Sequence, residues 1–237
     1  EEADLIPQEK VIACSKSGDC LRYGMFRWNE FFTPRQLLGH LILSEELIRL
    51  KPAIMEQLGP ERGKAIITYL QFALDKGLDY NSKQTRWEFT RGVVKGTFSR
   101  HDFSVKWSFG EMIFTGPNSG AAWGLSQVVD GYQSIAALAE PVHRETAGIP
   151  PLTIHNGTAA NMRTIKSASV DLVCMDPPYY NNVQYSELAN YFYVWQKRTL
   201  SDLFPDLFRS RLCNQADEAV ANPERHGGHA AANSEYQ

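Results

Sequence analysis

Val170-Asp171-Leu172-Val173-Cys174-Met175-Asp176-Pro177-Pro178-Tyr179-Tyr180 is the stretch on which the reading of this chain turns. Val170 to Met175 is a short apolar run of strand length that includes β-branched residues. Asp176-Pro177-Pro178-Tyr179 stops it. Two prolines cannot continue a sheet ladder, and Pro177 forces Asp176 out of helical geometry. The expectation is a buried strand that ends in a rigid loop presenting one carboxylate and one aromatic ring. In open α/β sheets, ligands bind at the carboxyl ends of strands. As a bare motif the four residues also fit an ordinary turn with a packed tyrosine.

The flanks extend the pattern. Ser169 leads in; Tyr180-Asn181-Asn182-Val183-Gln184-Tyr185-Ser186-Glu187-Leu188 and Tyr191-Phe192-Tyr193-Val194-Trp195 follow. Earlier come Trp28, Phe32-Thr33-Pro34-Arg35-Gln36-Leu37-Leu38, Arg86-Trp87, and Thr97-Phe98-Ser99-Arg100 through Trp107 and Glu111. Asp-Pro-Pro-Tyr after an apolar run resembles the catalytic motif of the amino-group DNA methyltransferases. The longer set resembles the large adenine-specific DNA methylases of bacterial and archaeal phage-defence loci, in scattered blocks over roughly residues 21 to 229.

The resemblance implies an α/β fold, part of a Rossmann-like methyltransferase sheet. To that sheet would be added a helical hairpin and a β-rich basic and aromatic insertion. It implies S-adenosylmethionine as cofactor and double-stranded DNA as partner, together with other proteins of a defence system. An exocyclic amine is a poor nucleophile because its lone pair is delocalised into the base. It needs acceptors for its N–H groups. The resemblance gives that part to Asp176 and to the carbonyl of Pro177, with Pro178 completing the rigid loop. Tyr179 would stack on a base flipped from the duplex. Asn182 and Tyr185 follow as substrate-side residues. Asn156 and Thr158, with Asp176, stand at the expected cofactor positions. The reaction implied is methylation of adenine N6. Cytosine N4, an RNA base, or a non-catalytic DNA-binding or assembly role remain alternatives, because Asp-Pro-Pro-Tyr does not separate them. No Phe-x-Gly-x-Gly cofactor loop is found, and Phe114 to Gly124 does not match one. The expectation is therefore the catalytic and recognition portion of a larger enzyme.

Composition sets outer limits. The chain has 237 residues, 43% of them hydrophobic, and a net charge of −3. That balance suits a soluble globular protein and is not the basic one of a protein living on nucleic acid. Positive charge is instead local. Between residues 81 and 109, Lys83, Arg86, Arg91, Lys95, Arg100 and Lys106 stand against only Glu88 and Asp102, six cations to two carboxylates. Trp87, Phe89, Phe98, Phe103, Trp107 and Phe109 are interleaved with them. Cations for phosphates and rings for bases make Arg86, Arg91 and Arg100 candidate DNA contacts. An ordinary segment with rings inward and charges outward has the same composition. No stretch of about 18 apolar residues implies a membrane span. Cys14, Cys20, Cys174 and Cys213 lack metal spacing and read as reduced thiols of a cytoplasmic protein, Cys174 within the buried strand. His226 and His229 lack a third ligand, so no metal is expected.

In chain order, residues 1–30 read as an N-terminal segment, with 11–14 and 21–28 as a strand pair. Residues 31–80 read as a helical hairpin. Thr33 is its N-cap and Pro34 its first helical position, the first helix runs to about Leu50, Pro60 begins the second, and Gly77 ends it. Residues 81–115 form the basic and aromatic segment, the candidate for target recognition. Residues 116–200 form the catalytic portion, with helices from about Ser126 to Ala139, Ala159 to Ile165 and Gln184 to Leu200, and with Asn118 or Ser126 as a cap. A strand and turn cover 151–158. Residues 201–237 read as an irregular tail.

Overall fold

A computed structural model describes residues 4–14, 16–116, 118–146, 152–155, 157, 159, 161–216 and 218–236. They form a mixed α/β fold, about half helical, with one small sheet of two antiparallel strands.

The main scaffold is α2, Pro34–Tyr80, which reverses at Gly59 (φ 75°, ψ 170°) into arms 34–58 and 60–80. The first arm begins as its sequence dictates. The Thr33 hydroxyl accepts from the Gln36 N–H at 3.2 Å, the Gln36 side chain accepts from the Thr33 N–H at 2.9 Å, and Pro34 occupies the first turn. Gly59 supplies the left-handed φ that an L side chain resists, and Pro60 restarts the helix. The arms run antiparallel: Leu47 and Ile67 share a buried cluster, and His40 faces Gly77. The expected hairpin is present, but both arms are longer than expected. Gly77 does not end the second, which runs on to Tyr80; the His40 ring lies at ordinary contact range of it.

Helix α3 (Gly120–Glu145) packs its first half on α2, where Gly124 sits against the Ala73 carbonyl. It starts six residues before the expected Ser126, with Ser119 as N-cap residue, and continues through Pro141. Helix α4 (Tyr185–Leu200) matches its expected bounds to within a residue. It carries the core. Tyr191, Val194 and Trp195 are buried among Trp28, Phe31, Phe32, Leu78 and Phe103. The Tyr191 hydroxyl donates to the Leu78 carbonyl at 2.7 Å. Arg198, nearly buried, forks onto Glu9 at 2.9 and 3.0 Å and donates to the Ile6 carbonyl, pinning the N-terminal segment to α4.

Several expectations are corrected. The N-terminal strand pair reduces to one bridge, Lys10 to Arg27, because the intervening residues close into a helical turn, α1 (Gly18–Arg22). The β-rich segment reduces to one hairpin, β1 (Arg86–Glu88) with β2 (Val93–Lys95). Residues 170–175 form no strand. A strand exists only through a partner's hydrogen bonds, and none of the described residues pairs with this run. Its side chains are bare, Leu172 82% and Met175 75% exposed, and Cys174 is exposed rather than core. The described part of 151–165 likewise holds only a turn, at 162–165. The tail, by contrast, is ordered into α5 (Pro223–His226) and α6 (His229–Tyr236). Among the described residues no helix is long and apolar enough to cross a membrane.

Two stability outcomes follow from the α2–α4 seam. Tyr191→Ala should cost about 3–5 kcal/mol in urea unfolding, the range for deleting a fully buried ring. Asp75, against the Gln71 and Gln196 amides at 2.8 and 2.6 Å, is pushed up to about 7 by burial. Its carboxyl keeps a proton in the fold that the unfolded chain releases near pH 4, so its contribution is lost as pH rises from about 4 to about 7. Asp75→Asn should therefore gain stability relative to wild type between about pH 4 and pH 8 in parallel urea titrations. His40, pushed down to about 4 by burial, gives the opposite slope, stability lost as pH falls from about 6.5 to 4. It is common to both proteins and cancels in the comparison.

Candidate active-site loop

Residues 176–182 leave the exposed run and lead through Val183 and Gln184, both buried, into α4. That anchor holds one end of the loop. The two prolines restrict φ at 177 and 178, and the chain then turns at Tyr180, which adopts the left-handed conformation (φ 54°). The Tyr180 N–H points back to the Pro178 carbonyl at 3.0 Å, and the Asn182 N–H donates to the Tyr179 carbonyl at 2.9 Å.

The turn brings Tyr179 over Asp176. The phenol hydroxyl donates to the carboxylate, 3.2 Å from Oδ1 and 3.3 Å from Oδ2. Asp176 and Pro177 are otherwise exposed, and among the described residues no donor reaches the Pro177 carbonyl. The loop therefore presents an exposed carboxylate, the carbonyl of the next residue and an exposed tyrosine ring. A carboxylate and a carbonyl are both acceptors, suited to an –NH2 group or a cation. Asn182 and Tyr185 lie exposed on the same loop and at the first turn of α4. Asn156 and Thr158 lie outside the described residues.

The tail holds this loop in place. Tyr236 donates to the Pro178 carbonyl at 2.8 Å and accepts from the Tyr180 N–H at 3.3 Å, with its ring 5.2 Å from that of Tyr180. Asn233 accepts from the Tyr180 hydroxyl, and the Ala221 N–H reaches the Tyr180 carbonyl at 3.2 Å. Glu218 accepts from the Ser186 N–H at 2.9 Å, a carboxylate at the N-terminus of α4. It is paired with Arg225 at 3.0 Å. Asn222 donates to Glu187 at 2.7 Å, and burial raises the Glu187 carboxyl above its ordinary value. Tyr180, Asn233 and Tyr236 were not among the residues expected from sequence. Their partners are more than fifty positions away, and no local pattern marks them.

Arg86, Arg91 and Arg100 stand elsewhere, on and after the hairpin. Arg86 pairs with Glu88 at 3.5 Å and Arg100 with Asp102 at 3.0 Å; Arg91 is exposed in the hairpin loop. No hydrogen bond or ring contact among the described residues joins them to the Asp176 loop. The two regions approach through the tail: a cleft of about 270 Å³ is lined by Asp102 and Ser104 on one side and Glu224 of α5 on the other. Among the described residues no group of three or more His, Cys, Asp or Glu side chains is placed to hold a metal. Compared with protein-family models, curated proteins and solved structures, the chain matches none of them.

Tyr236→Phe keeps the ring contact and removes both hydrogen bonds to the loop. The Tyr180 amide should then exchange with deuterium roughly 5- to 10-fold faster, with the global melting temperature unchanged.

Proposed function

We propose that this chain carries the catalytic and recognition portion of an S-adenosylmethionine-dependent DNA methyltransferase acting on an exocyclic amino group, adenine N6 first. The observation that carries the reading is the exposed Asp176 carboxylate, held by the Tyr179 hydroxyl and followed at once by Pro177, whose carbonyl takes no donor among the described residues. Asp176 and the Pro177 carbonyl each accept one N–H of the amine. That draws the nitrogen lone pair out of conjugation with the base. Tyr179 first releases Asp176, then offers its face to the flipped base; its hydroxyl bond to the carboxylate keeps the acceptor occupied until an amine replaces it. The tail residues hold Tyr180 and so set the direction of the loop.

Around Asp176 the described residues are exposed and do not enclose a molecule of the cofactor's size, so no contact to S-adenosylmethionine is assigned. The proposal includes the finer fold: residues 170–175 serve as a strand of a Rossmann-like sheet whose other strands are not among the described residues. The bare Leu172 and Met175 support this, because an apolar run exposed to water gains from such burial. Cytoplasmic DNA is the partner, in a phage-defence setting with companion proteins. The hairpin supports a second reading, a nucleic-acid-binding module without chemistry.

Asp176→Ala separates the two. Methyl transfer to DNA, followed by nucleoside product analysis, should fall by about 10²–10³-fold, with N6-methyladenine as the product lost. Unchanged transfer, or unchanged biological activity, would remove the catalytic reading.

A further inference from the structure

The rings of the basic segment divide in the fold. Phe103 is buried, and Phe98 packs on it and on Tyr191. Phe89, Trp87 and Trp107 turn outward instead. Phe89 is 87% exposed and Trp107 90% exposed. Phe89 sits in the four-residue loop that closes the hairpin, where Gly92 (φ 61°) completes the turn. A ring there contributes nothing to a hairpin whose strands are three residues each.

The segment carrying Trp107 runs beside the hairpin. The Thr85 hydroxyl donates to the Gly110 carbonyl, and Gly110 lies directly against Val94. Trp107 is held edge-to-face by Tyr23, with ring centres 5.9 Å apart.

Positive charge is gathered around these rings. Arg91 and Lys95 have no salt bridge among the described residues; both act, together with the salt-bridged Arg86, on the single carboxylate Glu88. Partial burial lowers the Lys106 ammonium below its ordinary range, with Asp102 pulling the other way and Arg100 and Arg86 adding smaller pushes down. Between residues 81 and 109 six cations stand against two carboxylates, and a polyanion offsets that excess.

We infer that the 86–109 face binds single-stranded nucleic acid, with Phe89 and Trp107 stacking on unpaired bases and Arg91 and Lys95 on the phosphates. A duplex offers the phosphates but keeps its base faces stacked on one another. A protruding ring finds a free π-face only on an unstacked base. This rests on the nucleic-acid part of the preceding proposal and not on methyl transfer.

The test is fluorescence anisotropy with the whole chain against oligothymidine and oligouridine of about 15 nucleotides, the matching duplex, and phosphatidylserine-containing vesicles. A single strand, DNA or RNA, should bind at least tenfold tighter than the duplex. Phe89→Ala with Trp107→Ala should weaken it tenfold or more, and Arg91→Glu should weaken it and flatten its salt dependence. Both rings are exposed, so melting should be unchanged. Asp176→Ala should bind as wild type, so loss of methyl transfer and loss of strand binding are read separately. Equal affinity for duplex, indifference to the two rings, or binding to vesicles but not to strands would each overturn the inference.

Discussion

Tyr191 is the residue on which the rest of the chain converges. Its ring meets those of Trp28, Phe31, Phe32, Phe98, Phe103 and Phe192, all within 6.4 Å between centres, and its hydroxyl ties α4 to the last turns of α2. Besides α4 itself, two parts of the sequence supply those rings, residues 28–32 and 98–103. Neither is a long element able to stand alone: the first is a short 3-10 turn, the second a turn and loop after a two-stranded hairpin. Edge-to-face ring packing gives them a fixed orientation as well as burial. The hairpin with its outward rings is therefore mounted on the same cluster that fixes the start of α4, and through it the candidate loop.

That loop depends on distant residues as well. The two prolines limit where Asp176 and Tyr179 lie, but not the turn that follows. A left-handed tyrosine costs of order 1–3 kcal/mol and persists only where its surroundings over-determine it. Here its N–H, its carbonyl and its hydroxyl are each engaged by the C-terminal residues.

The helices were legible where their signals are local. Thr33-Pro34 and Pro60 marked the two arms of α2, and the run from Gln184 to Leu200 marked α4 within a residue. Gly77 misled because a glycine that stops a helix and one that a packed helix runs through look alike in sequence. The helix expected to end near Ala139 likewise runs on, through the exposed Pro141, to Glu145. Residues 170–175 have strand propensity, but pairing is a property of two segments and only one is read at a time. The members of the site fell on both sides of this line. Asp176 to Tyr179 stood out as a motif, Asn156 and Thr158 rest on resemblance alone, and Tyr236 sat in a tail that composition had marked as irregular.

The exposed run has a chemical consequence. Cys174 stands in it open to solvent, whereas Cys14 and Cys20 are buried, with burial raising both thiols, Cys20 to about 12. A thiol reagent therefore meets Cys174 long before either of them. The rate of its alkylation is a native gauge of whether anything covers this run, and it needs no introduced label.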